Sequence, residues 1–245
     1  MSDKQVITDA FTELAPRYEG VVDKELKRFW GWGYDDFVDN MIEMMPLQTA
    51  QKILDVATGT AVIPLKLIQR DISAEQVVGL DITLAMLQKA SRKIASQGNS
   101  AQKPEHTPIR LSCASAMAMP YRDSHFDVIF CALATHHLDV PVVLDEMFRV
   151  LKAGGRIIIA DAMGSTTWRL PGINALIRAA TFVYFLPQEG YARARAEASA
   201  LSNVYNENEW DQNLTRAGFD DIKINNLPSS HSWLPSPLVI QAQKL

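Results

Sequence analysis

The stretch Asp55-Val56-Ala57-Thr58-Gly59-Thr60-Ala61 sets small residues between an apolar burst and an amphipathic run, and Asp81 closes a second apolar burst, Val77 to Leu80. A turn of small residues lets a backbone approach a ligand closely. Where such a turn opens a helix, its unpaired amides can receive anionic or polar atoms. A carboxylate at the end of the next strand can accept both hydroxyls of a ribose. The plainer readings are a turn shaped for packing and an N-cap for the following helix. Taken together, the loop and Asp81 point to a nucleoside-containing cofactor. Further along, His136-His137 offers two imidazoles that could act as a base, or that could cap and pack against the helix after them.

Both features need strand-to-helix junctions, and the sequence supplies them. From residue 53 onward strand and helix patterns alternate. KILDVA is followed by a helix from about Val62 to Arg70, and EQVVGLD by the helix TLAMLQKASRKIA, whose Leu84, Leu87, Ala90 and Ile94 share one face. A polar loop, SQGNSAQKPEHTP, leads into IRLSCAS and then HFDVIFCAL. The helix PVVLDEMFRVLK, ended by Gly154-Gly155, precedes the strand RIIIADA. Strands alternating with single helices predict βαβ units and a parallel sheet.

Residues 1–50 read as helices with aromatic punctuation, and 163–206 as irregular or helical chain. NENEWDQNLTRAGF reads as a helix stopped at Gly218. DDIKINNL and PLVIQAQKL suit an antiparallel pair at the sheet edge. The expected division is a helical lid (1–50), a cofactor-binding core (51–162), a cap (163–206) and a C-terminal helix and strand pair (207–245) completing the same domain.

A chain of 245 residues suits one sizeable α/β domain with an inserted cap, and 47% hydrophobic with 21% charged residues is ordinary for a folded protein. The net charge of −4 gives no basic field for nucleic acid. Cys113 and Cys131 lie in apolar strand-like runs and read as buried free thiols of a reducing compartment. The start, MSDKQVITDAFTEL, lacks a leader pattern, and PGINALIRAATFVYFLP is broken by Arg178 and bounded by prolines. A cytoplasmic chain without stable membrane insertion is expected.

The blocks CASAMAMPYRDSHFDVIFCALATHHL and EMFRVLKAGGRIIIAD, added to the first loop and Asp81, make a resemblance plain. From about Ile53 to Asp161 the sequence resembles the class I S-adenosylmethionine-dependent methyltransferases, in the group that includes the ubiquinone/menaquinone C-methyltransferases. The resemblance implies a doubly wound, mostly parallel seven-stranded sheet with an antiparallel edge strand, and S-adenosyl-L-methionine as cofactor. It implies that Asp55 lies near the methionyl amino group and that backbone from Ala57 through Thr58 and Gly59 to Thr60 lines the methionine, with Thr60 a side-chain contact. It further implies that Asp81 holds the ribose, and that Ile82 and Met86 pack on the adenine. Ser115 and Ala116 would flank the adenine edge, Ala132 and Leu133 would border the methyl, and Tyr18 would close over the cofactor. The sequence departs from the family's pattern at Ala57 and Ala61, where glycine is usual. It departs again at Ser115, where an acid or amide is frequent, and at His136-His137, where the quinone enzymes often carry Arg-Asn.

Methyl transfer is an in-line displacement, so alignment supplies much of the rate, and an acidic nucleophile needs a base. His136 and His137 are the candidates; His231 faces either solvent or the pocket. No metal-ligand spacing is recognisable. The block after the fourth strand, Ala132 to His137, lacks the Asn/Asp-Pro-Pro-aromatic pattern of nucleic-acid amino-methylation, and neither cysteine follows a proline. The acceptor is therefore expected to be a small molecule. Leu176, Ile177, Phe182, Val183, Tyr184 and Phe185 could wall its pocket, with Arg178 as an anion contact; alternatively the stripe touches a membrane interface or forms a homodimer seam. Two rival readings remain: a protein that binds the cofactor without transferring methyl, and a nicotinamide-dependent dehydrogenase.

Overall fold

The computed structural model describes residues 3–70, 72, 74–98, 109–230 and 236–245. Helices α1 (Asp3–Leu14), α2 (Tyr18–Phe29) and α3 (Tyr34–Met44) precede a sheet of seven strands. The strands are β1 (Lys52–Val56), β2 (Gln76–Asp81), β3 (Ile109–Cys113), β4 (Phe126–Ala132), β5 (Leu151–Ala162), β6 (Asp220–Asn226) and β7 (Pro237–Gln243). Between them run α4 (Val62–Gln69), α5 (Leu84–Gly98), α6 (Val140–Val150), α7 (Pro171–Ala200) and α8 (Glu207–Ala217).

The sheet order is β3-β2-β1-β4-β5-β7-β6. β1 to β5 pair in parallel; β7 runs against β5 and against β6, which closes the edge. Central strands are apolar on both faces because helices cover both. Leu54, Ile129, Ile157 and Ile240 face α6 and α8 through Leu144, Met147, Trp210 and Leu214. The alternate residues Ile53, Val128, Ile158 and Val239 face α3 and α4 through Phe37, Met41, Ile63 and Leu67.

Strand order reverses between β1 and β4, so the loops leaving their C-terminal ends splay apart and open a crevice there. β1, β2 and β4 all stop at that rim, which brings Ala57, Asp81 and Leu133 to it.

Three sequence expectations need correction. Gly154-Gly155 does not end α6: the helix stops at Val150, Leu151 already pairs with Phe126, and Gly154 at φ +77° bends the start of β5. Cys113 is exposed, because β3 is an edge strand with a partner on one side only, whereas Cys131 is buried. Leu84, at the first turn of α5, is 58% exposed, and the buried face of that helix runs through Met86, Leu87 and Ala90.

Ala57 and Ala61, which bracket the first loop, adopt φ +56° and +60°, the left-handed region that glycine occupies freely. An alanine there costs about 1–2 kcal/mol. The loop therefore keeps the shape that glycine would give it and stores strain at the rim. Ala57→Gly is expected to raise unfolding stability by about 0.5–1 kcal/mol in urea titration, since its methyl is only partly buried. An unchanged or lower midpoint would show that the strain is relieved elsewhere.

Candidate active site

The first loop is stitched to the neighbouring strand. Thr58 N–H donates to the Leu80 carbonyl at 2.9 Å, and Gly59 N–H donates to Asp81 Oδ2 at 2.9 Å. Asp81 Oδ1 accepts the Thr83 N–H at 2.7 Å, so one carboxylate fixes the loops after both β1 and β2. Each oxygen keeps another lone pair, and the side chain lines the crevice. Asp55 lies behind the loop, where the Thr58 hydroxyl donates to its Oδ2 at 2.6 Å.

Burial pushes the Asp55 carboxyl up to about 8; the Thr58 hydrogen bond opposes this and the Asp81 charge adds to it. Burial raises Asp81 as well, against the hydrogen bonds from Thr83 and Gly59. Two buried acids on adjoining strand ends favour a ligand that brings positive charge and hydroxyl donors.

The rest of the crevice mixes apolar residues with polar ones, among them His136, His137, Asp139, Ser199 and Asn203. Ile82, Ser115 and Ala116 line a cavity of about 470 Å³ that also reaches Ala57, Asp81 and His136. Ser115 Oγ accepts the Met117 N–H at 3.2 Å and so holds its own loop. Met86, Gly59, Ala132, Leu133 and Tyr18 line the adjoining space. The Tyr18 ring lies over the loop: a Cβ added to Gly59 would meet it at 3.7 Å. Burial pushes its hydroxyl up to about 12, so it stays neutral.

Thr60 differs from expectation. Its hydroxyl donates to Glu19 Oε1 at 2.7 Å, turned toward α2, where Lys93 also reaches Glu19 at 2.8 Å. Its role is to tie the loop to the N-terminal helices.

Beyond Leu133 and His136 lies a second cavity of about 260 Å³. Phe11, Phe29, Trp30, Trp168 and Phe185 give it aromatic walls, and Glu25, His136, Asp161, Arg193 and Glu197 bring charge. His136 lines both cavities. Its Nδ1 is 2.6 Å from Asp161 Oδ1, and Asp161 also accepts from the Thr135 hydroxyl at 2.5 Å and the Ala162 N–H at 2.7 Å. An ionised carboxylate only accepts, so Nδ1 carries the proton and Nε2 is the free acceptor. Burial pulls the His136 imidazole down, but the Asp161 charge and hydrogen bond outweigh it and leave it above its ordinary value. Burial likewise opposes the charged form of Asp161, yet the His136 charge and the hydrogen bonds it accepts hold it low.

His137 sits differently. Its ring stands edge-on to Phe11 at 5.1 Å, Nε2 is 3.3 Å from Glu197 Oε1, and burial with the His136 charge holds it below its ordinary value. His136, His137 and Glu197 bring candidate ligand atoms within 4.8 Å of one another. The Arg193 guanidinium, 2.9 Å from Glu197, makes that corner unfavourable to a cation.

The cap stripe turns only one side inward. Phe185 is buried and lines the second cavity with Thr181, whereas Leu176 and Val183 are 70% and 68% exposed and Arg178 points away in solvent. His231 lies outside the described residues. Sequence reading missed Glu25, Arg193 and Glu197, which belong to no motif and reach the cavity only through the packing of α1, α2 and α7.

This rim, with an acid at each of two strand ends and a helix following each loop, is that of a nucleoside-binding doubly wound domain. Residues 54–159 match the family model of a methyltransferase domain. The chain is 34% identical over 157 residues to a demethylmenaquinone methyltransferase of Thermus thermophilus, an alignment covering 62% of this chain and 63% of that protein. It is 25% identical over 231 residues to the ubiquinone/menaquinone biosynthesis C-methyltransferase UbiE of Dinoroseobacter shibae, covering 91% and 86%. Among solved structures, the YcgJ protein of Bacillus subtilis shares the fold at a TM-score of 0.63 and 18% identity, over 85% of this chain and 97% of that one. A geranyl diphosphate C-methyltransferase of Streptomyces coelicolor does so at 0.63 and 12%, over 85% and 78%. Residues 54–159 are a methyltransferase domain, and the sheet around them has the class I S-adenosylmethionine-dependent fold.

The residues at the rim fit that cofactor. Asp81 presents acceptors for ribose hydroxyls, and Ile82 and Met86 an apolar face for adenine; Asp55, behind the loop, lines neither cavity, and an ammonium beside it would favour its ionised form. Asp81 also holds Gly59 and Thr83, so it supports both loops as well as lining the crevice. Asp81→Ala is expected to weaken S-adenosylhomocysteine binding at least tenfold by calorimetry and to lower stability by about 1–3 kcal/mol. Retention of full affinity would place the nucleoside elsewhere.

Proposed function

We propose that the chain transfers a methyl group from S-adenosylmethionine to a small apolar or aromatic acceptor held in the 260 Å³ cavity, with His136 as general base. One observation carries the reading: His136, held at Nδ1 by Asp161, lines both cavities, which leaves its Nε2 for the acceptor. S-adenosylmethionine, when bound, supplies an electrophilic methyl on a sulfonium sulfur.

The chain's own groups do the rest. Asp81 and Asp55 orient the nucleoside and amino ends, and the Tyr18 ring offers a π face toward positive charge. His136 takes the proton of the acceptor, and Asp161 stabilises the imidazolium so formed. The aromatic walls exclude water, which strengthens these interactions and prevents hydrolysis. In this reading the 1–50 helices act as a lid and 163–206 as a cap, because Phe11, Tyr18, Phe29, Trp168 and Phe185 close the acceptor side. None of the described helices is long and apolar enough to cross a membrane, and we place the reaction in the cytoplasm.

A second reading is methylation of a quinone ring carbon, favoured by the names of the relatives. The two share the base and differ in the bond formed. Incubation with labelled cofactor and a panel of phenols, quinols and amines, followed by NMR of the product, separates them. Cofactor binding without transfer to any of the panel would favour a non-methylating protein.

His136→Ala is expected to lower kcat by about 10²–10⁴-fold while calorimetric affinity for S-adenosylhomocysteine stays within a factor of a few. Because a base works only when neutral, kcat of the unmodified protein should climb with pH through the raised His136 value and level off above it. Asp161→Asn removes the charge that raises it, so the remaining activity should climb at lower pH. A rate indifferent to both substitutions would exclude His136 as the base.

A further inference from the structure

The acceptor cavity holds a cation that proton transfer does not use. Arg193, on α7, is 7% exposed, and its guanidinium carbon lies 5.0 Å from the Phe11 ring centre and 5.8 Å from that of Phe185. Nη2 is 2.9 Å from Glu197 Oε1 and 3.5 Å from Glu25 Oε2. Nε and Nη1 are buried and reach no hydrogen-bond partner, and the Glu197 Oε1 contact is close but misaligned. A buried guanidinium with two idle donors is costly unless something completes it.

The neighbouring acids do not. Asp161 is committed to His136, Thr135 and Ala162. Burial pushes Glu25 up to about 7, against the Arg193 charge and assisted by that of Glu197, so at neutral pH it is only partly ionised. Glu197 is the neighbouring acid held ionised, since Arg193 and His137 overcome the burial that opposes its charge, but it meets Arg193 at Nη2 and leaves Nε and Nη1 without a partner. Stacking on aromatic faces fixes the guanidinium through its plane and leaves its edge donors to be claimed.

We propose that Arg193 anchors the methyl acceptor and that the acceptor is an aromatic hydroxy acid. Its carboxylate takes the idle Arg193 donors, its ring lies among Phe11, Phe29, Trp30, Trp168 and Phe185, and its hydroxyl faces His136. An ion pair formed in this water-poor cavity is strong enough to select an acid over a neutral ring of the same size. The assignment rests on the methyltransferase reading above and narrows its acceptor.

The test is calorimetric and needs no turnover. Protein saturated with S-adenosylhomocysteine is titrated with 3- and 4-hydroxybenzoate and with the matching hydroxybenzamides, which keep ring and hydroxyl and lose the charge. An acid is expected to bind at least about tenfold more tightly than its amide. Arg193→Met should abolish that preference and Arg193→Lys restore part of it, with S-adenosylhomocysteine affinity unchanged in both as the check on folding. Equal binding of acid and amide, binding of neither, or a preference surviving in Arg193→Met overturns the assignment. If Arg193→Met does not fold, the unmodified protein and Arg193→Lys decide. Failure of the unmodified protein to bind S-adenosylhomocysteine is a separate result, which removes the cofactor reading instead.

Discussion

The Asp81 carboxylate, holding Gly59 N–H on one oxygen and Thr83 N–H on the other, sets where everything at the rim can stand. It acts with the bond from Thr58 N–H to Leu80, and both require the first loop to lie close against β2. Gly79 permits that approach: a Cβ there would come within 2.8 Å of the Thr58 side chain, the group that also holds Asp55. A missing methyl on one strand thus positions an acid at the end of another. Energy is stored in the arrangement, as burial of both carboxyls and left-handed alanines at 57 and 61. A ligand supplying hydroxyl donors and positive charge recovers part of it.

The cofactor half of the molecule was legible because its rules are local. Strand ends and the small-residue turn depend on periodicity over a few residues, and Asp55 and Asp81 fall beside the strand ends where those rules put them; Ile82 and Met86 came from the family resemblance instead. Side-chain direction was less legible. Thr60 turns to Glu19 because α2 packs against the loop, a contact 41 residues away in sequence. Gly154 signalled a helix stop but serves a bend in β5, because pairing of Leu151 with Phe126 claimed the chain first. Cys113 looked buried from its apolar run, yet an edge strand has only one covered flank.

The half proposed to hold the acceptor was legible only as a region. The apolar stripe of the cap suggested a pocket wall, and of it Phe185 lines the second cavity, together with Phe11 and Phe29 of the N-terminal helices, which were not read as lining. α7 is broken at Gly190 (φ +82°), and tertiary packing decides which of its residues face the cavity: Arg193 and Glu197, after the break, line it while Leu176 and Val183, before it, are exposed. The same packing converts the doublet His136-His137 into two unlike groups. Asp161 raises one imidazole, whereas burial and its charged neighbour depress the other.

The two cavities differ electrically, and that contrast bears on the reaction itself. The first presents the Asp81 carboxylate to positive charge, whereas in the second Arg193 and His136 are matched by Glu197 and Asp161, and the idle Arg193 donors are what remain for an anion. A sulfonium held in one and an oxyanion in the other would lie on either side of the wall formed by Leu133 and His136. Methyl transfer between them consumes both charges. Surroundings of low dielectric disfavour separated charges in the reactants more than a neutral pair in the products, so the aromatic walls that keep water out also favour the forward step. A neutral acceptor would gain less from these walls unless a base first made it anionic, and the Asp161–His136 pair at the shared wall is placed to do that.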